Sequence, residues 1–357
     1  MRQTSCVKNF VRFIVGFFLG LGPFILPAQS AFTSLYVFGD GVSTTTNNTP
    51  GGGSYYQQRY CNGRVWVEVL AQRQGLAIGA TNNCSYFGQS TTELLKNINN
   101  KFTPPPDVAT TLFVVWVCDA DLVLDVNNYE AAPGTYSWAT AINQSQANHL
   151  QAIQNLYAMG ARTLIMPNAV DLTKVPFYSQ SSGGPVIRQQ ITNYNNAFAI
   201  TLSNAMASLP GLVIYQPDFF SLLDDIVANS TNYGLTRPNS DALDDGYLNI
   251  TNAVADQYVF WDYQDPSAKA HCWMADLVQQ LISPLRISKL TLLSGSNRLD
   301  VVNLPIGQAG FADGSTDLVN WTDVQSIATN SPQTIFVPAA SAPQFYRLRF
   351  PFAWTWP

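Results

Sequence analysis

The stretch "SLYVFGDGVS", Ser34–Ser43, is apolar from Leu35 to Phe38 and then breaks at Gly39-Asp40-Gly41. An apolar run of this length without polar alternation is a strand covered on both faces, the kind found in a parallel sheet. The glycine turn that follows lies at the strand's C-terminal edge, where open α/β sheets place their sites. At the position where such a turn would present a reactive side chain, Gly41 has none.

The same pattern recurs further along. "TLFVVWVC" (Thr111–Cys118), "RTLIMP" (Arg162–Pro167), "GLVIYQP" (Gly211–Pro217) and "QYVFW" (Gln257–Trp261) read as buried strands. Between them, Ala141–Met159, Ile187–Leu209 and Ser267–Ile282 carry helical spacing. Strands alternating with helices predict an α/β domain over 31–285, with a parallel sheet covered by helices on both faces. After Pro284 the character changes. "ISKLTLL", "RLDVVNLP", "QTIFVP" and "FYRLRF" are short strand-like runs between turn residues, predicting a small all-β module over 286–357. The terminal "FPFAWTWP" is an aromatic patch that either packs back on the main domain or forms a docking surface. Thr44–Ser54 reads as a loop rich in turn residues.

The first 30 residues form a separate segment. Arg2, Lys8 and Arg12 precede the apolar run Phe13–Leu26, and Ala28 and Ser30 follow. The run is short of the roughly 20 residues needed for a membrane span and contains Pro23, so it predicts a secretory signal removed after Ser30. The expected product is exported, either secreted or periplasmic or on the cell surface, and is not an integral membrane protein. Composition agrees with a folded exported chain: 46% hydrophobic, 12% aromatic and only 11% charged. A net charge of −5 with no basic cluster beyond the signal excludes a nucleic-acid footprint. Cys61, Cys84, Cys118 and Cys272 remain after the signal is lost, which permits three pairings. Cys61–Cys84 is a candidate bridge and Cys118 reads as a core thiol. None has zinc-ligand spacing, so no metal or cofactor is expected.

The turn also belongs to a larger set of blocks. Gly39-Asp40-Gly41-Val42-Ser43 follows the first strand, and "NCSYFG" supplies Asn83, Ser85 and Gly88. Cys118-Asp119-Ala120-Asp121 follows the second strand, and "DYQDPSAKAH" carries Asp262, Asp265, Pro266 and His271. In this order the blocks resemble those of the SGNH/GDSL hydrolases, esterases and lipases on a flavodoxin-like three-layer α/β/α sandwich. "YCNGRVWVEVLA" (Tyr60–Ala71) is also similar to that family. The resemblance implies that Gly41 stands at the nucleophilic serine position, Ala120 at the oxyanion asparagine and Asp265 at the general-base histidine. It implies that Asp262 keeps the triad acid and Gly88 the oxyanion glycine.

Acyl transfer through a covalent intermediate needs a hydroxyl or thiol and a base to take its proton. Gly41 supplies neither, and Ser43, Thr44 and Thr45 lie off the position. Of the two histidines, His149 reads as a helix-surface residue and His271 as a helix-packing or capping one. Asp40, Asp121, Asp262 and Asp265 are expected to gather near one sheet edge. They admit three roles: satisfying turn N–H groups, binding a hard cation, or activating water directly. The expected function is a non-catalytic binding protein for a glycan, acyl or protein partner, an acylated glycan or small ester being the ligand type. An ester hydrolase using an altered carboxylate mechanism stands as the alternative.

Overall fold

The computed structural model describes residues 32–45, 54–250, 254–329, 334–339 and 344–351. The signal segment, the centre of the 44–54 loop and the aromatic terminus beyond Pro351 lie outside the described residues. No helix among those described is long and apolar enough to cross a membrane. The chain divides into two compact units, one from 31–71 and 76–278, the other from 72–75 and 279–357.

The larger unit is an α/β fold around a parallel sheet. Its strands β1 (Ser34–Gly39), β2 (Thr111–Trp116), β3 (Thr163–Ile165) and β4 (Val213–Tyr215) lie in the order β1-β2-β3-β4. All six residues of β2 are buried, as its unbroken apolar run requires. On the other side of β1, Val37 bridges to Asn83 in parallel, and Cys84 N donates to Val37 O at 2.7 Å. That short extended segment flanks β1 opposite β2, so the first strand sits inside the sheet as a flavodoxin-like order demands. Helices α1 (Trp66–Gln74), α2 (Thr91–Asn100), α3 (Cys118–Ala131), α4 (Trp138–Ala158), α5 (Gly184–Ser208), α6 (Phe219–Ala228) and α7 (Ala268–Ile282) fill the connections.

Two expectations are corrected here. "QYVFW" does not extend the main sheet. Its strand β6 (Tyr258–Phe260) pairs in parallel with β5 (Arg237–Asp241) in a separate two-stranded sheet. His149 is not on a helix surface: it is 1% exposed, with its ring 4.8 Å from that of Phe198 on α5. Helix α4 packs against both α2 and α5, so a face that reads as polar is covered as well.

The smaller unit contains two three-stranded antiparallel sheets, β11-β8-β7 and β10-β9-β12. Their strands are β7 (Arg286–Leu293), β8 (Ser296–Val302), β9 (Gly310–Ser315), β10 (Thr322–Ile327), β11 (Thr334–Pro338) and β12 (Phe345–Arg349). Alternation along β8 and β11 turns Leu299, Val301, Ile335 and Val337 into a core closed by Tyr346 and Leu348. Asp313, 1% exposed, accepts from Nε of both Arg347 and Arg349 at 2.9 and 3.0 Å. Removing that carboxylate leaves two guanidinium groups short of their acceptor. Asp313→Ala should lower unfolding free energy by about 2 kcal/mol. Asp323→Ala, which removes a half-exposed partner of the same Arg349, should cost under about 1 kcal/mol. Chemical denaturation of the two variants checks the ranking.

Candidate functional site

The turn after β1 is built by short-range bonds. The carboxylate of Asp40 caps a 3-10 turn over Gly41–Ser43, accepting from Val42 N at 3.1 Å. A Cβ on Gly41 would stand 3.2 Å from Cδ2 of Phe87 and 3.5 Å from Cδ2 of Tyr60. Those two rings lie 5.3 Å apart, so an aromatic pair occupies the space into which a side chain at 41 would project. The neighbouring hydroxyls are committed elsewhere. Ser43 Oγ accepts from Trp66 Nε1 at 3.1 Å and Thr44 Oγ1 donates to Ser85 O at 3.0 Å. Thr45 Oγ1 accepts from Asn83 Nδ2 at 3.0 Å. All three residues are buried.

A cavity of about 210 Å³ opens beside the turn. Asp40, Gly41, Gly88, Ala120 and Asp265 line it, together with Asp119, which the sequence reading did not select. Its walls are apolar, with Val123, Leu172, Phe219, Ile226 and Met274 among them. Phe87 and Gly88 are the exposed members of the lining and mark its rim. Gly88 has φ +73, a left-handed conformation that glycine adopts without strain. Neither Gly41 N–H nor Gly88 N–H makes a backbone hydrogen bond among the described residues, so both amides are available as donors. Ala120 adds a methyl group where the family pattern would place a side-chain donor.

The last block supplies a carboxyl pair. Asp262 Oδ1 accepts from the backbone N–H groups of Gln264 and Asp265 at 2.8 and 2.7 Å, and Oδ2 accepts from Tyr55 OH at 2.8 Å. Burial raises the Asp262 carboxyl, but three donors pull it back down, so of the pair Asp262 is the more readily ionised. Burial, then the Asp262 charge and then Asp40, hold the Asp265 carboxyl well above the usual range, so Asp265 carries the proton. Burial likewise raises Asp119 well above that range and lifts Asp40 to about 7.

Asp121 departs from the expected cluster. It binds the start of α2, accepting from Thr91 N at 2.9 Å and from Thr91 Oγ1 at 2.7 Å, and does not line the cavity. Because α3 begins at Cys118, Asp119 and Asp121 lie about 200° apart around the helix and face different neighbours. Asp119 turns toward the cavity and accepts from Val170 N at 3.2 Å. The recoverable signal for this was a helix start directly after the buried strand. Among the described residues, no group of three or more His, Cys, Asp or Glu is arranged to hold a metal ion.

Neither histidine serves as a base. His271 is fully buried, its Nδ1 accepts from Trp66 N at 3.2 Å, and burial lowers its pKa to about 3. His149 Nδ1 bonds Ser145 O at 3.0 Å inside α4. Cys61, Cys84 and Cys118 are unbridged thiols, which removes the expected Cys61–Cys84 pairing.

No family model matches the chain. The curated relatives it matches are GDSL esterases/lipases of Arabidopsis thaliana. EXL3 is 25% identical over 220 residues, covering 56% of this chain and 59% of the relative. A second, At1g23500, is 29% identical over 133 residues, covering 34% and 37%. The chain thus spans less than two thirds of the length of these relatives. Among solved structures, a lipase from a goat rumen metagenome aligns over 70% of this chain and 97% of its own, with 14% identity and a TM-score of 0.43. An acetylxylan esterase from Geobacillus stearothermophilus aligns over 71% and 96%, with 11% identity and a TM-score of 0.38. The fold is an α/β domain around a four-stranded parallel sheet with a glycine turn at the end of its first strand. The curated relatives make the chain similar to the GDSL esterases/lipases over about half its length.

A carboxyl whose pKa is raised on folding binds its proton more tightly folded than unfolded. Its contribution is therefore fully favourable below the unfolded pKa and is lost as pH rises toward the folded value. For Asp40 that window runs from its ordinary value of 3.8 to about 7. Asp40→Asn keeps an acceptor for Val42 N and removes the titration. The variant should melt several degrees above the native chain near pH ~8 and close to it near pH ~4, measured by calorimetry.

Proposed function

We propose that this exported member of the family binds a ligand bearing an apolar chain in the cavity beside Gly41 and does not cleave it. The observation that carries this reading is that, among the described residues, no nucleophile and base pair stands at the turn. Residue 41 has no side chain, Ser43 is held by Trp66, and His271 is buried with its Nδ1 occupied. In this reading Gly41, Ala120 and Asp265 are the replaced nucleophile, oxyanion and base positions, while Asp262 and Gly88 are retained. The apolar walls favour an acyl or alkyl chain over a bare glycan, because sugar hydroxyls would lose water there without gaining partners. An acylated glycan fits through its acyl group. Export rests on the basic and apolar N-terminal segment and on the low charged fraction.

One observation favours the alternative, a carboxylate-based ester hydrolase. Asp40 faces the cavity and titrates at about 7, the range suited to a general base acting on water. The Gly41 and Gly88 amides would then hold the oxyanion. Against it, the rings of Tyr60 and Phe87 cover the turn where an attacking water would be placed.

Purified mature chain incubated with short- and medium-chain p-nitrophenyl esters should give the uncatalysed rate. Turnover that rises above background and disappears in Asp40→Asn or Asp262→Ala would replace the binding reading with the hydrolytic one. Gly41→Ser alone should stay at background, because its Cβ presses on Phe87 and Asp265 offers no free base. A robust esterase from that single change would overturn the assignment of the last block.

A further inference from the structure

Asn62 Nδ2, Ser85 Oγ, Trp116 Nε1 and His271 Nε2 are buried side-chain atoms with no hydrogen-bond partner among the described residues. Of the residues that carry such an atom, Trp116 alone lines the cavity. Its place follows from the sheet. Trp116 ends β2, stands in register with Gly39 at the end of β1, and its carbonyl accepts from Asp40 N at 3.3 Å. The residue is therefore held beside the turn that carries Gly41. Its ring packs edge-on against Trp66 and Phe219, with centroids 5.9 and 4.9 Å apart, and the residue is 2% exposed. An indole N–H can only donate, and a buried one without an acceptor is costly.

We propose that the cavity takes a neutral carbonyl compound, its oxygen accepting from Trp116 Nε1 and its alkyl chain lying along the apolar walls. This rests on the binding reading above and names the ligand's polar group. A second donor stands on the same edge: Gly41, two residues beyond the register partner of Trp116, has an N–H with no backbone hydrogen bond among the described residues. A carbonyl oxygen offers two lone pairs to two donors and brings no proton that needs an acceptor in turn. A plain hydrocarbon would leave the indole N–H unmatched. A carboxylate has acceptors, but its charge would enter a lining that holds Asp40, Asp119 and Asp265 and no Lys, Arg or His. Since an apolar cavity of about 150 Å³ takes benzene, 210 Å³ admits a chain of about seven carbons.

An acyl ester carries such a carbonyl, while the acid released from it is a carboxylate at neutral pH. The lining thus favours the intact ester over its product, in keeping with a protein that holds its ligand without cleaving it.

The test uses methyl pentyl ketone, which cannot be hydrolysed, and its isostere in which a methylene group replaces the carbonyl oxygen. Each is titrated into the isotope-labelled mature chain and followed by NMR at the indole N–H resonance of Trp116. The ketone should move that resonance downfield, as a new acceptor on an N–H does, and the alkene should not. Trp116→Phe should weaken ketone binding about 5-fold more than alkene binding, the worth of one hydrogen bond. Heptanoate should bind the native chain at least ~10-fold more weakly than the ketone. If Trp116→Phe fails to fold, the resonance of the native chain decides alone. A ketone that binds without moving the Trp116 signal beyond the alkene's effect overturns the carbonyl assignment and leaves the binding reading standing. Heptanoate binding as tightly as the ketone does the same. Failure of both ketone and alkene to bind would bring down the binding reading itself.

Discussion

The indole N–H of Trp66 donates to the Ser43 hydroxyl, and the backbone N–H of the same residue donates to Nδ1 of His271. These two bonds tie the turn after β1, the start of α1 and the first turn of α7 into one buried unit. Trp66 is itself locked by edge contacts with Trp116 and Phe219, at 5.9 and 5.5 Å between ring centroids. The arrangement commits the Ser43 hydroxyl and Nδ1 of His271 to structural bonds. A hydroxyl that accepts an indole proton inside a sealed core has no access to a substrate carbonyl. An imidazole whose pKa is lowered to about 3 by burial is neutral and stays so.

The cavity next to this unit follows a different rule. With the base position held by Asp265, the last block becomes a carboxyl pair in which Asp262 collects the donors and Asp265 the proton. Asp40 and Asp119 add to the same edge, and no basic side chain balances them there.

Much of this was legible from residues alone. The unbroken apolar runs of β1 and β2 announced a parallel sheet, and the glycine turn announced its edge. The blocks could be located because each follows a recognisable segment. Three features were hidden for physical reasons. Asp119 and Asp121 are two residues apart, and only the helical phase set by α3 starting at Cys118 decides which one turns to the cavity. His149 sits on a helix flanked by both α2 and α5, and sequence periodicity does not reveal a second covered face. "QYVFW" is apolar enough for the main sheet, but its pairing with Arg237–Asp241 is a long-range choice that local composition does not carry. The polar "RPNSD" of that partner strand gives no strand signal of its own.

The central claim is that no side chain of this site is activated for acyl attack. Intact-mass spectrometry of the mature chain after prolonged exposure to an alkyl fluorophosphonate, which captures activated hydroxyls, addresses it directly. The account predicts an unchanged mass under conditions that fully label a GDSL esterase control. A stoichiometric adduct mapping to Ser43, Thr44 or Thr45 would contradict it.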